Sequence, residues 1–176
     1  MMTGRKILST IGVVAALAVT MFVVHSCGIY SFTGTSIQPD VQTVTINYFE
    51  YQALKVNPSL SNDLTTALQD KFLKLTKLEQ VDMDGDLEIT GAIIGYDVKA
   101  TAITANEQAA QNRLTVSVRI SFTNRKYPED DFENKSFSAY ADFDAMQQLD
   151  AVEASLCEEI LEQLCDDMFN ATVANW

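Results

Sequence analysis

The stretch RLTVSVRISFTN, residues 113–124, decides the fold of this 176-residue chain. Its polar and apolar residues alternate from Arg113 to Thr123. One side of an extended segment would carry Leu114, Val116, Val118, Ile120 and Phe122, and the other would carry Thr115, Ser117, Arg119, Ser121 and Thr123. This period of two predicts an antiparallel strand with one face on a core and the other in water.

The segments on either side of this strand extend the same sheet. Leu87 to about Ala102 predicts a long strand, in which Gly91 and Gly95 indicate a bulge, a bend or a close backbone approach. Further strands are predicted at Val41–Ile46, Leu78–Val81 and Phe132–Phe143.

Two segments have the three- and four-residue apolar spacing of amphipathic helices. The first follows Asn57-Pro58, which resembles a helix start with Asn as the N-cap and Pro at the first helical position. The second repeats from Leu149 to Met168. Strands before the first helix and between the two helices predict an α+β fold, with two helices packed on one face of a small mixed sheet.

Cysteine and histidine usage excludes the commonest kinds of catalytic and metal site. Cys157 and Cys165 stand eight residues apart in the second helix, about 12 Å along its axis. That separation exceeds the roughly 7 Å between Cα atoms that a disulfide tolerates, so we expect two buried thiols. The only histidine is His25, so the chain beyond it lacks the imidazole of a Ser-His-Asp or Cys-His site. We therefore expect no enzyme, no zinc site and no cofactor.

Acidic residues dominate the charge, with 24 Asp and Glu against 12 Lys and Arg. A net charge of −12 argues against nucleic-acid binding, which depends on cations that neutralise phosphates. The run Asp82-x-Asp84-Gly85-Asp86 has some likeness to a calcium loop, but its glycine stands in the wrong place, and we favour an Asp-Gly hairpin turn. The cluster from Glu129 to Glu133 fits a solvated loop better than an acid-base pair.

The beginning of the chain predicts a lipoprotein export signal. Arg5 and Lys6 precede the uncharged segment Ile7–Val24, and Cys27 stands where a bacterial signal peptidase would acylate and cleave. An uncleaved transmembrane anchor is the alternative, because Ile7–Val24 nearly spans a bilayer. We favour cleavage, with a signal peptide at 1–26, a lipidated lead at 27–40 and one domain at 41–176.

Basic residues are concentrated on the predicted hairpin region, and they are candidates for contact with an anionic head group. Arg119 is the sharpest candidate, since it is the one charge on an otherwise Ser/Thr face, and Lys99 and Lys135 accompany it. The alternative is that these cations are ordinary solvated residues. Tyr48, Phe49 and Tyr51 either contact a partner or pack over the domain's own core.

Several short runs of the chain together carry a family resemblance. The first is Cys27-Gly-Ile-Tyr-Ser-Phe-Thr-Gly-Thr-Ser-Ile37, and the last is Asn170-Ala-Thr-Val-Ala-Asn-Trp176. Between them lie Asn57-Pro-Ser-Leu-Ser61, Asp84-Gly-Asp-Leu87, Asn112-Arg-Leu-Thr115 and Phe137–Asp144. In these runs the chain resembles the LptE family of lipopolysaccharide-assembly lipoproteins of Gram-negative outer membranes.

This resemblance implies a non-enzymatic plug inside the lumen of the β-barrel LptD, anchored to the outer membrane at Cys27 and facing the periplasm. Lipopolysaccharide is then the expected ligand of Arg119, Lys99 and Lys135. Barrel contacts are expected from the loop with Tyr48, Phe49 and Tyr51 and from the ten-residue connection 103–112, with Asn106 and Asn112. The alternative is a scaffold or activator of another envelope machine, such as a cell-wall synthase.

Overall fold

The strand predicted from the alternating stretch lies in a mixed, open sheet. In the computed structural model, which describes residues 37–101 and 111–174, this strand is β5, Gln111–Asn124. It pairs in antiparallel orientation with β4, Leu87–Thr101, and with β6, Phe132–Asp144. Leu114 pairs with Val98 on one side and with Ala141 on the other, so apolar residues of all three strands share one face.

Short parallel strands complete the other half of the sheet. β1, Thr43–Ile46, and β2, Glu50–Tyr51, both lie along β4, and β3, Glu79–Gln80, lies along β1. The resulting order is β3-β1-β4-β5-β6, with β2 beside β4. A 3-10 turn, Pro128–Asp130, joins β5 to β6. The sequence did not predict β2, because a two-residue strand has no measurable period.

Two helices cover the apolar face, which confirms the predicted α+β architecture. They are α1, Leu60–Leu75, and α2, Leu149–Val173, and they pack on each other as well as on the sheet. The rings of Phe72 and Phe169 meet edge to face at 5.1 Å between the helices. The second helix buries both free thiols, Cys157 and Cys165, as predicted, along with Leu156, Ile160, Leu161, Leu164, Met168 and Phe169.

The first helix begins three residues after the predicted cap. The side-chain oxygen of Asn57 accepts the N–H of Ser59 at 3.2 Å, so Asn57 closes a turn before the helix instead of capping it. Asp63 N–H then donates to the Ser59 carbonyl, and the helical ladder continues from there.

The predicted hairpin turn at Asp82–Asp86 is wrong. Strands β3 and β4 do not pair with each other, because β1 lies between them and is parallel to both. Residues 82–86 instead cross β1, where the N–H groups of Gly85 and Asp86 donate to the hydroxyls of Thr45 and Thr43. A Cβ on Gly85 would lie 2.7 Å from the Thr45 nitrogen, so only glycine allows this close crossing.

Both glycine predictions for β4 are confirmed. Gly91 is a close approach, since a Cβ there would lie 2.6 Å from the Phe49 ring. Gly95 borders the bulge that shifts the register of β4 against β5 after Ile93. Within the described residues, no helix is long and apolar enough to cross a membrane. The signal peptide, Cys27, the first part of the lead and Asn106 lie outside the described residues.

Candidate functional site

The sheet face opposite the helices is lined by hydroxyl groups and a few charges, and we name it the polar sheet face. β5 contributes its odd-numbered residues from Arg113 to Thr123, and the register places matching rows from the neighbouring strands beside them. One such row is Gly95, Ser117 and Ser138, in which the two serine hydroxyls lie 2.8 Å apart. No helix of the described part of the chain packs on this face. Its remaining members are Glu88, Thr90, Ala92, Asp97 and Lys99 from β4, and Ser136, Tyr140 and Asp142 from β6.

A depression of about 520 Å³ lies on the polar sheet face around Arg119, and we name it the Arg119 depression. Arg119 stands in the row Glu50, Ala92, Arg119 and Ser136, where the small Ala92 leaves space between the longer side chains. The remaining lining residues include Asn47, Tyr48, Gln52, Thr90, Ser121 and Asn134. Arg119 is exposed and forms no ion pair with any residue that the structure describes. Its guanidinium is therefore free to bind an anion.

Other arginines of the hairpin region are already paired. Arg113 binds Asp142 through two parallel bonds, Nε to Oδ1 at 2.7 Å and Nη2 to Oδ2 at 2.8 Å. The guanidinium also stacks on the Tyr140 ring, 3.6 Å from its centroid. This charge-assisted contact lowers the pKa of the Asp142 carboxyl below its ordinary value. Arg113 is thus a structural cation.

A second group of ion pairs closes the end of the sheet where β4 begins. Arg125 pairs with Asp84 and Glu88, both at 2.8 Å, and Lys126 pairs with Asp86 at 3.2 Å. Asp84 adopts a positive φ of 58°, which Asp tolerates in a tight loop. Of the carboxylates considered for calcium, Asp84 and Asp86 are therefore bound to cations, and Asp86 also accepts backbone N–H groups.

The three cations proposed for a head group do not lie together. In the strand register, Lys99 of β4 lies opposite Arg113 of β5 on the polar sheet face. Arg113 is six residues, or about 20 Å, along β5 from Arg119. Lys135 pairs with Ile120, so it belongs to the helix-covered face, and its Nζ lies 5.1 Å from the Phe132 ring centroid. Only Arg119 lines the depression. The head-group role of each cation remains a prediction.

The aromatic residues after β1 divide between surface and core. Tyr48 is 61% exposed and lines the Arg119 depression. Phe49 is completely buried, so its predicted surface role has to be corrected: its ring fills the space above Gly91, and its N–H donates to the Thr65 hydroxyl at 3.1 Å. Tyr51 is half-buried, and its hydroxyl holds the following loop.

Asn112 and the acidic turn also differ from expectation. Asn112 lies within β5, where it pairs with Ala100 and Phe143, because the strand begins earlier than the sequence pattern indicates. In the acidic turn, the Asp131 carboxylate accepts the Asn124 N–H at 2.6 Å, and Asp130 accepts the Asn124 side chain at 3.2 Å. These two acids hold the turn together instead of being merely solvated.

Several lining residues escaped the sequence analysis. Glu50, Gln52 and Thr90 are single polar residues in segments without a polar pattern, so nothing local marked them. Asn134 left one usable signal, because Asn tolerates a left-handed backbone. It has a φ of 55° at the β5–β6 bulge and donates its N–H to the Ser121 hydroxyl. In the described part of the chain, no group of three or more His, Cys, Asp or Glu is arranged to hold a metal ion.

Comparison with solved structures finds several bacterial proteins to which the chain is similar. A neuraminyllactose-binding hemagglutinin homolog from Helicobacter pylori is 10% identical, with a TM-score of 0.50 and coverage of 79% of this chain and 87% of that one. A hypothetical protein from Chlamydia trachomatis is 9% identical, with a TM-score of 0.49 and coverage of 76% of this chain and 99% of that one. A minor lipoprotein from Acinetobacter baumannii is 10% identical, with a TM-score of 0.42 and coverage of 69% of this chain and 89% of that one.

Sequence comparison identifies the family. None of the curated proteins searched matches the chain. The sequence model of LptE, described as Lipopolysaccharide-assembly, matches residues 41–172, which is the whole span from the first strand to the last turn of α2. This span includes the Arg119 depression and every described strand. The chain therefore belongs to the LptE lipopolysaccharide-assembly family.

Proposed function

We propose that this protein is a lipid-anchored, non-enzymatic plug and assembly partner of an LptD-like outer-membrane barrel in lipopolysaccharide export. The observation that carries the proposal is the family match over residues 41–172. In this arrangement the domain lies in the lumen of the barrel, on the periplasmic side. Acyl groups on Cys27 hold the domain at the outer membrane.

The polar sheet face supports this role on physical grounds. The inside of a large outer-membrane barrel is polar and wet, so a plug needs a broad surface of hydroxyl and charged groups that remains soluble when free. Three long strands present such a surface, with Ser117 and Ser138 at its centre. In the proposed complex, Tyr48 and Asn112 contact the barrel and Arg119 contacts an anionic sugar or phosphate of lipopolysaccharide.

Charge limits the lipid part of the proposal. The chain as a whole has a net charge of −12, so it does not attract the anionic lipopolysaccharide. Binding therefore depends on local cations such as Arg119. We therefore assign the protein primarily to plugging and assembly of the barrel, with lipid contact confined to the Arg119 depression.

The test is a mild-detergent pull-down of the full-length lipoprotein from its native envelope, washed in high salt and analysed by mass spectrometry. We expect a large β-barrel in equimolar amount, because a plug buries much more surface than a transient contact. A substitution at the depression, Tyr48→Asp, should lower barrel recovery, while Leu73→Asp on the outer side of α1 should leave it unchanged. Recovery of a cell-wall synthase without a barrel would contradict the proposal and favour the scaffold alternative.

The proposed anchor is tested separately by Cys27→Ala. Acyl chains contribute about 0.8 kcal/mol per buried CH₂, so this variant should fold normally and yet be retained less well by membranes. Retention is measured by fractionation of envelopes after the barrel partner has been depleted. Undiminished retention under that condition would contradict lipidation at Cys27.

A further inference from the structure

The loop between β2 and α1 exposes two apolar side chains to water. Leu54 is 102% exposed and Val56 is 78% exposed, although both belong to residue types that usually pack against other groups. Lys55 stands between them. We name these three residues the Leu54–Val56 tip.

The tip is fixed in place by hydrogen bonds at both of its ends and at its centre. The Gln52 N–H donates to the Ile93 carbonyl at 2.9 Å, which ties the loop to β4. The Tyr51 hydroxyl donates to the Lys55 carbonyl and accepts the Asn57 N–H at 3.1 Å, which closes the loop beneath the tip. Burial raises the pKa of Tyr51 and outweighs the opposing effect of the Asn57 N–H, so the hydroxyl remains a donor at neutral pH.

Contacts with α2 keep the tip turned outward. The Asn57 side chain donates to the Glu153 carboxylate at 3.3 Å, and Glu153 in turn accepts the Tyr96 hydroxyl. These bonds hold the backbone beside Leu54 and Val56 in the arrangement that exposes both side chains. The exposure of the two side chains is therefore built into the loop.

Charge around the tip differs from that of the rest of the chain. Residues 51–62 contain Lys55 and no Asp or Glu, in a protein with 24 acidic residues and a net charge of −12. Two carboxylates contact this segment: Glu153 faces inward to Tyr96 and Asn57, and Glu50, at the edge of the segment, accepts the Gln52 side chain at 3.0 Å. The tip is thus a small cationic and apolar projection from an acidic domain.

We propose that the Leu54–Val56 tip inserts into the interfacial region of an anionic lipid layer. Leu54 and Val56 enter the boundary with the acyl chains, and Lys55 lies at the level of the head groups, as in other interfacial anchors. An anionic lipid fits better than a protein surface, because the apolar area is confined to two side chains and a cation lies between them. A protein interface of ordinary strength needs a much larger continuous patch.

The experiment uses full-length lipoprotein in vesicles that contain no barrel protein, so its outcome is independent of the proposed plug function. An environment-sensitive fluorophore is attached through Leu54→Cys, and through the matched controls Met83→Cys and Leu73→Cys, which replace exposed apolar residues elsewhere. The native Cys157 and Cys165 are buried, and labelling of the parent protein measures any background. The vesicles are phosphatidylcholine alone or an equal mixture with phosphatidylglycerol, each with spin-labelled lipid as quencher.

We expect quenching at position 54 to exceed quenching at positions 83 and 73 several-fold in the anionic vesicles, and to be weaker in phosphatidylcholine alone. Adding Lys55→Glu should lower the ratio of inserted to free tip at least about fivefold, the effect of one cation near an anionic surface. Equal quenching at positions 54 and 83 would overturn the proposal. The proposal would also be overturned if Lys55→Glu left the quenching unchanged. It would likewise be overturned if the fluorophore at position 54 were shielded from water only after a barrel protein was added.

Discussion

At the scale of single residues, Gly91 is the position where one added methyl group has the clearest consequence. A Cβ there would lie 2.6 Å from the Phe49 ring and 2.9 Å from the Arg119 carbonyl oxygen. The ring is completely buried and the carbonyl belongs to a paired strand, so neither can move away cheaply. Gly91→Ala should lower the free energy of unfolding by about 1–3 kcal/mol, measured by urea denaturation.

Gly95→Ala is the matched control, because a Cβ on Gly95 would have the Ser117 Cβ as its nearest neighbour, at 3.2 Å on the open polar sheet face. A small shift of Ser117 relieves this contact, so the loss of stability should be clearly smaller. Adding Phe49→Leu to Gly91→Ala should recover part of the loss. Equal destabilisation by the two glycine substitutions would show that the Phe49 contact is not the cause.

The two thiols of α2 give a residue-scale prediction on pH. Burial raises the pKa of Cys157 and raises that of Cys165 to about 12, so both stay neutral in the folded protein. Maleimide at pH 8 should label them only after unfolding in urea. Since thiols in an unfolded chain ionise near pH 8.5, stability should fall as the pH rises above that value. Rapid labelling of the native protein would contradict the buried positions.

At the scale of elements, the crossing of β1 by residues 82–86 depends on Asp86. Its carboxylate accepts the N–H groups of Gln42 at 2.8 Å and Thr43 at 3.1 Å, and it pairs with Lys126. The bond from Gln42, followed by the contacts with Lys126 and Thr43, lowers the pKa of Asp86 below its ordinary value. One side chain thus joins β1, the crossing segment and the turn after β5.

Asp86→Asn should lower the free energy of unfolding by about 1–2 kcal/mol at pH 7, because it removes charge-assisted bonds to backbone. The lowered pKa means that this contribution is complete above about pH 5 and disappears as the pH falls through the folded-state pKa. The difference in the free energy of unfolding between the parent protein and the variant should therefore vanish at acidic pH. Asp82→Asn, on the same segment but without a described hydrogen bond or ion pair, is the control and should change little at any pH.

At the scale of the whole molecule, paired and unpaired cations should separate stability from function. Arg119→Glu should leave the free energy of unfolding within about 0.5 kcal/mol, since Arg119 is exposed and pairs with no described carboxylate. It should nonetheless reduce delivery of lipopolysaccharide to the cell surface, measured by surface labelling. Arg113→Glu, which faces Asp142 directly, should lower stability more than Arg119→Glu. If Arg119→Glu destabilised the domain as much as it impaired delivery, Arg119 would be structural.

The candidate site was only partly predictable from the sequence. The position of Arg119 on the Ser/Thr face of β5 could be predicted, because alternation within one strand is a local property, and its head-group role stays a prediction. Its distance from Lys99 and the opposite orientation of Lys135 depend on strand register and on a bulge near Asn134. The burial of Phe49 depends on Gly91, which lies more than forty positions later in the chain. Such pairings connect distant residues and leave no periodic signal.

The sequence by itself determined the α+β class, the strands β4, β5 and β6, both helices and the buried thiols. Each of these follows from apolar residues that recur every two or every three to four positions, and burial of the apolar side then fixes the face. Only the tertiary structure decided that residues 82–86 cross β1, that Arg113 and Arg125 are bound while Arg119 is free, and that Leu54 and Val56 are held in water. The reason is that these features depend on hydrogen bonds and ion pairs between segments far apart in the chain, which form only after the sheet has set their positions.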